Sequence, residues 1–243
     1  MKSIFRHAID EMITKKQMTY GPMSFRKYIE YYKLPRGTMP APNISIDSIT
    51  QLDRSLRMNS MMVFRLGSPK GERHTHFALV KSINSLESDY FILDRDTFEH
   101  NETELFVPTV TYMQLFPFML LPQFTETSMV NFCIASGLLS HAFSLDSGEI
   151  LSIPATGQSN YSFKVRPHSL IDAVWDHTKG QVEIDAIVTA KRNEKPTLFL
   201  IEAKAGKKYD SLAKHKLMYP YLALLDGSVK NLSLFSQQCP FGY

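Results

Sequence analysis

The chain has 243 residues, 44% of them hydrophobic and 21% charged, with two cysteines and a formal net charge of +3. That is apolar material for one large globular domain or two small ones. Two cysteines give no disulfide framework, the longest apolar stretch, near Leu115–Leu121, is too short to span a bilayer, and the N-terminal M-K-S-I-F-R-H-A-I-D-E-M is not a secretory-signal pattern, so a cytoplasmic protein with no membrane contact is expected.

Charge is unevenly spread. Residues 1–81 carry 14 Lys/Arg against 6 Asp/Glu, residues 82–124 carry 1 against 7, and residues 125–243 carry 12 against 11. A basic N-terminal third is what a polyanion-binding surface requires. In chain order, residues 4–16 read as a helix from the spacing of Ile4, Phe5, Ala8, Ile9, Met12 and Ile13. Tyr20-Gly21-Pro22 reads as a turn. Ser24 caps a second helix through Tyr32, and Asp47 or Ser48 a third over Ile49–Met58. Strands follow at Met61–Leu66 and His74–Ile83, joined by the Gly/Pro/Lys segment Gly67–Arg73. Helices followed by such a hairpin are the order of a winged helix; the strands from 61 to 110 fit a small β-domain equally. Arg54, Arg57, Arg65, Lys70 and Arg73 fall on the third helix, the first strand and the tip. These are the side chains placed to reach phosphates or guanine edges.

Asp89–Asp94 and Leu105–Val110 are further strand candidates. Phe106–Pro122 reads as an irregular connection packed on the core and as a boundary between two parts. Thr125–His141 reads as a helix broken at Gly137 and opened by Glu126, with Cys133 as a small core residue. Strands are expected at Asn160–Val165 and Leu170–Trp175, a helix at Asp210–Leu225 and a last strand at Val229–Ser236. His74-Thr75-His76 lacks a third ligand nearby and reads as an ordinary strand pair.

The most informative stretch is Q-V-E-I-D-A-I-V-T-A (Gln181–Ala190) followed by T-L-F-L-I-E-A-K (Thr197–Lys204). Both are strand-like, and K-R-N-E-K-P between them reads as a turn. A hairpin about Asn193–Glu194 sets Ala190 opposite Thr197, Asp185 opposite Glu202 and Glu183 opposite Lys204, all on one face. Like charges directly opposite each other destabilise a sheet. A divalent cation, which prefers carboxylate oxygens, is the reason for keeping them.

D-x(16)-E-A-K on a strand hairpin resembles the active-site signature of the PD-(D/E)xK nuclease superfamily, which includes many type II restriction endonucleases. Ile184 stands where the family usually has proline. The resemblance covers roughly residues 120–235. It implies an α+β or α/β restriction-endonuclease-like mixed sheet flanked by helices, as a nuclease core over 120–243. A smaller DNA-recognition region over 1–110 precedes it. It further implies a Mg²⁺-dependent, sequence-specific endonuclease acting on double-stranded DNA. Asp185, Glu202 and the Ala203 carbonyl would bind the metal and Lys204 would serve catalysis. Glu126 would complete the site, and Lys207 and Lys208 would contact flanking phosphates. A homodimer is expected if the target is palindromic. The alternatives are a repair, transposition or junction-resolving nuclease, or a non-enzymatic winged-helix DNA-binding protein with a silent nuclease-like domain.

Overall fold

The computed structural model describes residues 3–35, 37–69, 71–72, 74–99, 102, 104–204 and 210–226. Among them the chain is mixed α+β, with ten helices and three small antiparallel sheets. Helix α1 (Arg6–Thr14) buries Ala8, Ile9 and Met12, which share one face at helical spacing. Strand β1 (Thr19–Ser24) takes in Gly21 and Pro22, expected as a turn. The ladder skips these two residues between Tyr20 and Met23. An edge strand tolerates such a bulge because proline has no N–H to donate.

Ser24 caps α2 (Phe25–Tyr31) as expected, its hydroxyl accepting from the Lys27 N–H. A short α3 (Ala41–Ile44) follows. The third expected helix is confined to α4 (Arg54–Met58), because residues 48–52 form tight turns and the Asp53 carboxylate takes the Ser55 N–H at 2.7 Å. Strands β2 (Met61–Leu66) and β3 (His76–Lys81) pair antiparallel, giving a sheet of order β1-β3-β2. Phe77 lies at its centre, fully buried, with ring contacts to Phe5, Tyr20, Phe25 and Tyr28.

The middle of the chain departs most from expectation. Ser85 caps a helix, α5 (Leu86–Tyr90), so only β4 (Phe91–Leu93) of the expected Asp89–Asp94 strand is extended; α6 (Asp94–Phe98) follows. Leu105–Val110 forms no strand. Within the expected irregular connection, α7 (Tyr112–Met119) is helical, with the Gln114 side chain accepting from the Thr111 N–H. Most of α7 faces outward rather than onto the core.

Helices α8 (Glu126–Ala135) and α9 (Leu138–Ala142) divide at Gly137, whose φ of +82° favours glycine. The second sheet has the order β5 (Ala155–Val165), β6 (Trp175–Arg192), β7 (Lys195–Ile201). The expected strand at Leu170–Trp175 is instead a turn, closed by the Ile171 N–H on the His168 carbonyl. Residues 211–213 form β8 (Ser211–Ala213), paired with β4, ahead of α10 (His215–Asp226). The expected strand Val229–Ser236 lies outside the described residues, as does Cys239.

One continuous apolar core joins the first sheet to Phe163, Val165, Trp175, Tyr219 and Ala223 of the second half. At the junction Gly67 and Gly180 approach so closely that a Cβ on either would overlap backbone or ring atoms of its neighbours. The Ser68 N–H bonds the Thr178 carbonyl at 2.6 Å, and the Tyr219 hydroxyl donates to the Arg65 carbonyl at 2.8 Å.

Candidate metal centre

The β6–β7 hairpin has the register read from the sequence. Ala190 pairs with Thr197, Val188 with Phe199 and Ala186 with Ile201. Asn193 and Glu194 occupy the turn with φ of 54° and 60°. Two successive positive-φ residues make the turn whose twist matches paired strands. The Asp146 carboxylate holds it, accepting the Asn193 and Glu194 N–H groups at 2.7 and 2.8 Å. Val182, Ile184, Ala186 and Val188 are buried on one face. Continuing the ladder by one residue sets Asp185 opposite Glu202, just past the end of β7.

Asp185 is half-buried, and one of its oxygens accepts the Ala203 N–H at 2.8 Å. The Glu202 side chain is only 5% exposed. The Lys204 ammonium stands 2.7 Å from Glu202 Oε1 and 3.9 Å from Glu126, at the start of α8. Lys216 of α10 lies 3.8 Å from the same Glu202 oxygen and 3.1 Å from Asp47. Glu202, Lys204, Glu126 and Lys216 therefore converge from three elements. Glu183 does not join them: it is exposed and pairs with Gln158 across β5–β6.

Burial pushes the Glu202 carboxyl above its ordinary range, and the neighbouring Asp185 adds to this; Lys204 and Lys216 offset only part of it. Burial alone would lower Lys204, but Glu202, Glu126 and Asp185 outweigh it and hold the ammonium above its usual value. Lys204 therefore remains charged. Glu202 Oε1 is buried and held by the Lys204 ammonium, with Lys216 further off. Keeping this carboxylate charged beside Asp185 is still costly. A hard cation would offset that cost, and the oxygen donors of Asp185 and Glu202 suit one. Among the described residues no three His, Cys, Asp or Glu side chains stand grouped for a metal ion; the acidic pair and Glu126 are divided by Lys204.

Arg54 and Arg57 are exposed on α4. Arg65 instead donates to the Ser45 hydroxyl at 3.1 Å and is only partly exposed. His76 is taken up by Glu72 at 2.8 Å, as an ordinary strand histidine. Lys70, Arg73, Lys207 and Lys208 lie outside the described residues. Asp47, read from the sequence as a helix cap, contacts Lys216 instead. His215, which local spacing sets on the outward or site-facing side of α10, is buried against Phe64 and Tyr219. Both depend on contacts between distant segments, which local spacing does not encode.

No helix of the described residues is long and apolar enough to cross a membrane. No curated protein and no solved structure matches the chain. Residues 96–235, more than half of the sequence and all of the hairpin, match the family described as a domain of unknown function, DUF6997, and the chain belongs to that family.

Proposed function

We propose that this protein is a Mg²⁺-dependent endonuclease of double-stranded DNA, of the type II restriction class, working in a reducing cytoplasmic setting. The observation that carries the reading is the acidic pair of Asp185, in β6, and Glu202, directly after β7, with Glu202 almost wholly buried and Lys204 at 2.7 Å from it. An ordinary surface strand does not bury a carboxylate beside another. The order of a helix pair (α8, α9), three antiparallel strands (β5, β6, β7), the short β8 and the helix α10 supports a restriction-endonuclease-like core.

Asp185, Glu202 and the Ala203 carbonyl would hold Mg²⁺. Bound there, the ion supplies polarisation of the scissile phosphate and a water of lowered pKa. Lys204, kept protonated by its acidic neighbours, presents a compact charge to a phosphate oxygen and offsets the negative charge that develops on it. Glu126 holds Lys204 from the far side. The N-terminal half supports a DNA-reading role. Its helices precede a hairpin in a three-stranded sheet of order β1-β3-β2, as in a winged helix, and α4 turns Arg54 and Arg57 to solvent.

The test is conversion of supercoiled plasmid to nicked and linear forms by the purified protein, with Mg²⁺ and with EDTA. Cleavage should require Mg²⁺ and fail in Asp185→Ala and Glu202→Ala. Cleavage that survives both substitutions sinks the reading. DNA binding without any metal-dependent cleavage favours the non-enzymatic alternative. Sequencing the ends of digested DNA separates a restriction enzyme from a repair or junction nuclease.

A further inference from the structure

Between Glu104 and Glu126 the sequence carries no charged residue. Helix α7 lies inside this stretch. At 3.6 residues per turn, Tyr112, Met113, Phe116, Met119 and the following Leu120 fall within about 120° of one another around the axis. Leu115 follows about 40° beyond Met119, and Phe118 lies on the far side with Gln114 and Pro117. The helix packs through Leu115 and Phe118: Leu115 is buried, and Phe118 makes ring contacts with Phe124 and Phe132. The side of the first five is open, with Met113 74% exposed and Leu120 66%. An apolar stripe of that width is what a helix turns towards a core.

We infer that the Tyr112–Leu120 stripe is a self-association surface, covered by the same stripe of a second copy of this chain. Two quantities favour a second copy. The first is charge: the stripe offers nothing to a nucleic acid or an oppositely charged protein, whereas a two-fold contact needs only a patch that packs on itself. Uncharged Tyr, Phe, Met and Leu are the composition of an interface centre. The second is area. The five stripe residues, between 38% and 74% exposed, offer on the order of 600 Å², so two copies would bury about 1,200 Å² in all, the low end of a standard stable interface. A patch of that size is at the upper end of what a monomer exposes. The inference does not depend on the metal site.

Sedimentation of the full chain from micromolar to about hundred-micromolar concentration should show a dimer. Met113→Glu and Leu120→Glu should each weaken it at least about 30-fold, with unchanged far-UV circular dichroism, since both side chains are mostly exposed. Amide exchange at residues 112–119 of the wild type should slow as concentration rises. This last measurement decides the matter if the variants fail to fold. A wild type that stays monomeric overturns the proposal. So does a dimer indifferent to both substitutions. Protection of 112–119 at every concentration also overturns it and assigns the cover to another part of the same chain, with residues 227–243 the first to truncate.

Discussion

The two three-stranded sheets are built alike and filled differently. In the first, β2 and β3 are buried along almost their whole length, and what they bury is apolar. In the second, β6 alternates buried and open positions, and the sheet's inner end holds carboxylates and ammonium groups. Burying Phe77 contributes to stability directly. Burying Glu202 opposes it, since a desolvated carboxylate is repaid only by its partners. Of two similar sheets, the one that keeps a residue costly to the fold is the one to search for chemistry.

Mutation should separate the two sheets sharply. Asp185→Ala or Glu202→Ala is expected to lower cleavage by at least about 10³-fold, with binding of DNA in Ca²⁺ little changed, because the loss falls on the chemical step. Lys204→Ala should remove most of the activity as well. Phe77→Ala should behave in the opposite way, costing about 3–5 kcal/mol of stability in urea denaturation. If Glu202→Ala unfolds the protein as Phe77→Ala does, the acidic pair belongs to the core and the contrast fails.

Acid should report on the joint between the sheets. His177 and His215 are both buried and held near pKa 4, His177 by desolvation against a stacked Phe163 and His215 by desolvation and the adjacent Lys216. Each folded value lies below the unfolded 6.5. Their contribution is therefore complete above about pH 6.5 and is lost as pH falls towards 4, up to about 3 kcal/mol for each. Replacing His177 with Phe should flatten that part of the stability–pH curve; a curve of unchanged slope contradicts the assignment.

A cation should stabilise only the second sheet's site. Ca²⁺ at about 100 times its Kd should add about 2.7 kcal/mol of stability, read as a shift in Tm. Asp185→Asn should abolish the shift. Because burial holds the Glu202 carboxyl up, the shift should fade on acidification sooner than an exposed carboxylate pair would allow. The smallest effects belong to the first half. Arg54→Ala and Arg57→Ala should each cost about 1 kcal/mol in DNA binding, and loss of a phosphate contact should shallow the salt dependence by about one unit. Variants that bind like wild type move the DNA surface elsewhere.

What could be read from the sequence was local. The Asn193–Glu194 turn, the pairing of Ala190 with Thr197, the Ser24 cap and the limits of β2 all follow from period and turn chemistry within a dozen residues. The errors were contacts made at a distance. Residues 211–213 look like the start of a helix and become a strand only because β4 lies beside them. Asp47 looks like a cap and instead meets a lysine 169 positions later. The apolar run around α7 reads as core because nothing in its composition says that the chain leaves one side of it open.

The Gly67–Gly180 approach has an evolutionary consequence. The base of the 67–75 connection and the strand carrying Asp185 meet with no side chain between them, and neither glycine can gain one alone. A homologous half grafted from another protein would have to reproduce that meeting to within a methyl group. New specificities in this lineage should therefore arise by substitution at exposed positions, such as those of α4, and rarely by exchange of halves. Chimaeras joined between residues 98 and 126 offer the direct measurement, and they should be insoluble unless both glycines are present.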